Sequence, residues 1–437
     1  MPFDDLDTSA IARSLSQIAD RDGDLGDAFF ERLEIVELPA ADETAGVRVW
    51  REQGFALRLI RDGASWSVSR DEIEHSVFAD ALRQVARVIP TAPYSPPDLR
   101  VAPFADSEVP VAMQEFSVQV IRAIRRRLVG FPLRLKIRRH RRWVRVVGTH
   151  VAPEQESEEF FSFEAETPWG AHGELLALLD KDSVEGIAES LTSLFRSREA
   201  VAAKSGPAAV VLGPAACAVL LHEAVAHALE TDTLALGGRS ESAIGVKVGS
   251  EILDVLDNPA GGPPGVSRST DDEGMRVIRR WLLRRGVVEQ VLADLAASHN
   301  STDLMAGAGR RGHRHVGPVP RSTHLELLAG ESSFDDLMAD VTDGFFFPEA
   351  SRGRLDPYSG EFSLWIPHGR RIQGGKMGEV VAPCRLRGTV SDLLSAVTGV
   401  GTDRSSAGAG WCAKGGVKLP VWATAPALRL ETVEVVG

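Results

Sequence analysis

The spacing of apolar residues divides the chain into recognisable elements. Ile11, Leu15 and Ile18 recur at helical spacing and predict an amphipathic helix over residues 8–20. Residues 46–50, 55–60 and 65–69 predict three strands, with Arg61-Asp62-Gly63 turning the last two into a hairpin. Asp71 is placed to cap a helix running to about residue 88, with Ile73, Val77, Phe78, Leu82 and Val85 on one face. The Pro-rich stretch 89–97 predicts a linker, and a boundary falls near residue 100. A third helix is expected over 109–128 and a fourth over 184–203. Between them, Leu133, Leu135, Ile137, Trp143, Val144 and Val146 read as sheet. Lys204-Ser205-Gly206-Pro207 marks the next boundary. Residues 208–212 form a short apolar strand, and Gly213-Pro214 opens a helix. Beyond Asp232, Gly, Pro and short β-type runs dominate. The exceptions are a turn or short helix at 273–280 and a helix at 391–397. The expected fold class is α+β: an N-terminal α/β-type region, then a mainly antiparallel β domain. The expected units are 1–100, 101–205 and 206–437.

Charge changes one part of this picture. Arg134, Lys136, Arg138, Arg139, Arg141, Arg142 and Arg145 interleave with apolar residues, which suggests a nucleic-acid surface. The following segment carries Glu154, Glu156, Glu158, Glu159, Glu164 and Glu166. Cross-strand charge pairs on a solvated face explain both runs together. The net charge of -12 also argues against a dedicated nucleic-acid binder. The acidic N-terminus does not read as a signal peptide. The longest apolar run, about 208–221, is too short to span a bilayer. Cys217, Cys384 and Cys412 lie far apart and cannot all pair, so a reducing cytoplasm is expected.

The chemistry concentrates in Leu220-Leu221-His222-Glu223-Ala224-Val225-Ala226-His227-Ala228-Leu229-Glu230. Two imidazoles can hold a transition metal, with the carboxylate between them serving as a base. The usual H-E-x-x-H spacing is lengthened here by one residue. In a regular α-helix His222 and His227 then sit about 140° apart, with Glu223 between them. Convergence on one metal requires a local widening, such as a π-bulge. The bland alternative is a buried helix with two satisfied histidines. Gly307-Ala308-Gly309-Arg310-Arg311-Gly312 matches G-x-G-x-x-G by letter, but Pro318 and Pro320 prevent the helix a dinucleotide site requires. His313 and His315 read as loop residues rather than ligands. Cys412, in a Gly-rich turn, is either a small buried hydrophobe or the third member of a His₂Cys set.

The residues from Leu220 to Asp232 resemble the H-E-x-x-x-H signature of the TldD half of the TldD/PmbA (TldE) family. Further blocks follow in that family's order: Asp271-Asp272-Glu273-Gly274, residues 307–312, Pro320-Arg321-Ser322-Thr323-His324, Gly344-Phe345-Phe346, Ser359-Gly360-Glu361-Phe362-Ser363 and Cys412-Ala413-Lys414-Gly415-Gly416. The resemblance implies a cytoplasmic zinc metallopeptidase acting on peptides or unfolded polypeptide segments. It implies Zn2+ held by His222, His227 and Cys412, with Glu223 as the catalytic base. It also implies a dimer, either of this chain or with a TldE/PmbA-like subunit, and no membrane or nucleic-acid partner. Glu230 and Asp232 are candidate partners of the histidines. The alternative within the same family is a non-catalytic metal-binding regulatory or interaction protein.

Overall fold

The computed structural model describes residues 2–38, 46–87, 99, 110–130, 133–167, 170–197, 200–238 and 243–437. The expected linker at 89–97 lies outside the described residues. A six-stranded antiparallel sheet builds the N-terminal half. Its strands are β1 (Leu25–Leu38), β2 (Arg48–Arg61), β3 (Ala64–Arg70), β4 (Arg134–Gly148), β5 (Glu154–Thr167) and β6 (Gly170–Leu176), in the order β3-β2-β1-β4-β5-β6. The strands expected at 46–50 and 55–60 are one continuous strand. Strands from both sides of residue 100 share this sheet.

Both faces of the sheet are covered. One face packs α1 (Thr8–Ile18) and α2 (His75–Arg87) against Phe30, Phe55 and Leu57. On that face α3 (Val111–Arg127) and α4 (Lys181–Arg196) pack against Val36, Ile137 and Phe163. The alternating residues of β1, including Asp27 and Glu31, point the other way, toward the C-terminal domain. There they meet buried arginines. Arg58 Nε donates to Asp27 at 2.6 Å and its Nη1 to Glu273 at 2.6 Å. Arg142 Nε donates to Glu31 at 2.8 Å. Arg268 donates to Glu158 at 2.9 Å and to Asp272 at 2.7 Å.

This interface corrects part of the charge reading. Lys136–Glu166, Arg138–Glu164 and Arg141–Glu159 do pair across neighbouring strands on a partly exposed surface. Arg142 and Glu158 instead lie buried between the two halves. Asp71 does not cap α2; it binds Arg314 and His315 of the C-terminal half. The Gly-rich run at 307–312 serves packing. A side chain at Gly309 would come within 2.0 Å of Glu273 Oε2.

The C-terminal half is a mainly antiparallel sheet organised on the long strand Leu419–Val436. That strand pairs antiparallel with β7 (Gly206–Leu212), with Val397–Cys412 and with Cys384–Thr389. It pairs parallel with His324–Leu327. Of the turn or short helix expected at 273–280, the structure has a turn over 272–274 and a strand beginning at Arg280, and the helix expected at 391–397 is Val390–Ser395. Among the described residues, no helix is long and apolar enough to cross a membrane.

Candidate metal centre

β7 leads through Gly213 into α5 (Pro214–Leu220), with Pro214 at its first position. Ala216 to Leu220 are all buried, as expected of a helix that is apolar all round. The helix then widens. Leu221–Ala226 is a π-turn, closed by the His227 N–H donating to the His222 carbonyl five residues back. The added residue is absorbed there, and the two imidazole rings lie 4.3 Å apart between centroids. The chain leaves the helix at Glu230, whose backbone is extended.

Cys412 ends the strand Val397–Cys412, in register with Leu419. Its thiol lies 3.5 Å from His227 Nε2. One donor atom from each of His222, His227 and Cys412 falls within 4.8 Å of the others, and all three residues are buried. Among the described residues, neither ring nitrogen of His222 has a hydrogen-bond partner. Burial pushes the Cys412 thiol up, but the neighbouring imidazoles of His222 and His227 outweigh it and bring it down to about 5. Cys217, by contrast, is pushed above the usual thiol range by burial alone. Cys412 thus differs from Cys217 and Cys384, whose thiols burial pushes up with no imidazole beside them to offset it.

The opposite side of His227 is anchored. Its Nδ1 lies 2.9 Å from both Glu230 oxygens. Burial would raise the Glu230 carboxyl, yet the charges of His227, Arg321 and Lys414 hold it down at about 2. Arg321 Nη1 donates to Glu230 at 3.2 Å and Lys414 Nζ at 2.5 Å. Asp232 takes hydrogen bonds from Arg321 at 2.9 Å and Lys414 at 2.8 Å, rather than from a histidine. Sequence reasoning missed Arg321 and Lys414 as members of this site, although both lie in the blocks quoted for the family resemblance.

Glu223 is half-buried beside the histidines and packs on the strand Arg352–Leu355. A side chain at Gly353 would approach Glu223 Cγ to 2.2 Å, so the missing side chain makes room for it. Sequence reasoning also missed Gly353. His313 and His315 are not members of this donor set and bind the N-terminal half. His313 Nε2 is 2.9 Å from Glu52, and His315 Nε2 is 2.8 Å from Asp71.

Two buried imidazoles and an acidified thiol form a donor set suited to zinc. The unpartnered nitrogens of His222 fit a bound metal better than an empty core. Were all three to hold a metal, a fourth position would be left for water or substrate, as in catalytic zinc sites.

Comparison with known proteins agrees with the fold and the family resemblance. The family model described as the PmbA/TldA metallopeptidase C-terminal domain matches residues 205–437, just over half of the chain. A metalloprotease TldD homolog of Haemophilus influenzae is 33% identical over 261 residues, covering 58% of this chain and 52% of that protein. A metalloprotease of Methanothermobacter thermautotrophicus is 30% identical over 266 residues, covering 60% of this chain and 57% of that protein. The matched region thus spans little more than half the length of these relatives. The crystal structure of TldE from Thermococcus kodakarensis superposes with a TM-score of 0.74 at 17% identity, covering 98% of this chain and 99% of that one. That likeness establishes the α+β fold. With the C-terminal match, it makes this chain a member of the TldD/PmbA family.

Proposed function

We propose that this chain is a zinc-dependent metallopeptidase that cleaves peptides or unfolded polypeptide segments. The reading rests chiefly on the convergence of His222, His227 and Cys412 around the unpartnered nitrogens of His222. In this reading those three residues hold the metal, and residues 206–437 carry the chemistry. Residues 1–100 and 101–205 form a shared sheet that frames it. Bound zinc would polarise the scissile carbonyl and acidify the attacking water. Glu223 takes the proton of that water and later gives it to the leaving amine. Glu230 orients His227 through Nδ1, so that Nε2, beside the Cys412 thiol, is the nitrogen that would hold the metal. Arg321 and Lys414 keep Glu230 ionised, and Asp232 keeps those two cations in place.

The same reading includes a dimer, either of this chain or with a TldE/PmbA-like subunit, and a cytoplasmic setting in keeping with free, buried thiols. The test pairs two measurements on purified chain: zinc content, and mass spectrometry of an unstructured peptide after incubation. Bound zinc with cleavage is expected. Bound zinc without cleavage, with and without a TldE-like partner, would favour a regulatory metal-binding protein instead.

A further inference from the structure

A second cluster of ligand-type residues lies on a cavity of about 760 Å³ between the two halves of the molecule. His172 and Glu174 come from β6, and Ser190 comes from α4. Glu349 follows the strand Asp343–Phe347, and His368 sits just before the strand Gly369–Gln373. All five line the cavity. His172 is 8% exposed and His368 6%.

The distances are those of a joined cluster. His368 Nε2 is 3.1 Å from Glu349 Oε1. Ser190 Oγ donates to Glu349 Oε2 at 2.6 Å and lies 3.5 Å from His172 Nε2. His172 Nε2 is 3.8 Å from Glu174 Oε1. Donor atoms of His172, Glu174 and Glu349 all fall within 4.8 Å of one another.

The partners of these carboxylates differ from those of the buried ion pairs elsewhere in the interior. Asp27, Glu31, Glu158, Asp272 and Glu230 are each paired with arginine or lysine. Glu174 and Glu349 are instead paired with histidine and serine. Arginine cannot give up a proton to bind metal, whereas a neutral imidazole offers a lone pair. One imidazole and two carboxylates, one of them held by a second imidazole, form a set for zinc or another first-row dication.

We propose that His172, Glu174 and Glu349, with His368 bonded to Glu349, form a second divalent transition-metal site, which fastens β6 of the N-terminal sheet to the C-terminal domain. It is independent of the centre at His222, His227 and Cys412, since it shares no residue with it.

Co²⁺ alone, titrated into metal-free full-length chain, separates the two sites. Cobalt bound to Cys412 gives a thiolate-to-metal charge-transfer band; cobalt at the second site gives only ligand-field absorption. In Cys412→Ser, one cobalt should still bind, without the thiolate band. Adding Glu349→Gln or Glu174→Gln to that background should abolish it. Either change in the otherwise wild-type chain should leave the thiolate band intact, which also reports a folded domain. Cys412→Ser that binds no cobalt would overturn the proposal, as would binding that survives both glutamine substitutions. The glutamine variants keep size and hydrogen bonding, so loss of metal is not confused with loss of fold. Failure of the first centre would leave this result readable.

Discussion

His222 places two polar nitrogens in the core with nothing to bond them. A buried unsatisfied group costs about 1–3 kcal/mol, so an unliganded His222 is a local strain that a metal would relieve. His227 differs, because Glu230 holds its far nitrogen. Glu230→Gln keeps the shape but removes the charge that Arg321 and Lys414 surround. Zinc affinity should then fall about 10–100-fold, measured by competition with a chelator. Unchanged affinity would make Glu230 a partner of the two cations only. Gly353 has a separate role. Its backbone lies outside the left-handed region, so a methyl group costs contact alone. Gly353→Ala should push Glu223 aside and lower the cleavage rate toward about 10²-fold while zinc content stays constant. A full rate in that variant would show that Glu223 does not need its present place.

At the scale of elements, the wide turn matters most. Deleting Ala226 would restore the ordinary zinc-protease spacing. It would also swing His227, Glu230 and the chain beyond by about 100° about the helix axis. That variant should lose its zinc; retained zinc at wild-type affinity would mean the π-turn is not what lets the rings converge. The turn is legible in the sequence because one extra residue between two histidines leaves few ways to bring them together. The strand-to-helix entry at Gly213-Pro214 is legible for a similar reason, since proline suits a first helical turn. β1 is not legible. Asp27, Glu31 and Glu34 interrupt its apolar run, and they are buried only because arginines from distant segments meet them. Lys414 and Arg321 escape notice for the same cause: their partners lie far away in sequence. The helix ends are also blurred. α2 begins at His75 rather than after Asp71, because Asp71 is drawn to Arg314.

At the scale of the molecule, the two halves are joined by buried charge. Arg268 bridges Glu158 of β5 and Asp272. Arg268→Met would leave two carboxylates short of a partner and should cost about 3–5 kcal/mol, read from urea unfolding. A loss below about 1 kcal/mol would make the bridge no more than a surface pair. Acid should act in the same direction. Burial raises the Asp27, Glu158 and Asp272 carboxyls, but their arginine neighbours outweigh it and hold them below the usual range. Groups depressed in the folded state stabilise it above their unfolded value, near 4, and that stability is lost as the pH falls through the folded value. Asp271 acts with the opposite sign: burial and the charge of Glu273 hold its carboxyl up at about 8, so its contribution is lost as pH rises toward that value. The melting temperature should therefore fall as the pH drops below about 4, and fall less in Arg268→Met, where part of the network is already gone.

The central claim is that Glu223 serves chemistry while His222, His227 and Cys412 serve the metal. Glu223→Gln tests it most directly, with kcat on one unstructured peptide measured beside zinc content and melting temperature. Zinc and melting should stay near wild type while kcat falls by at least about 10²-fold, the low end for a lost general base. Full zinc, a normal melt and a kcat near that of wild type would contradict the mechanism.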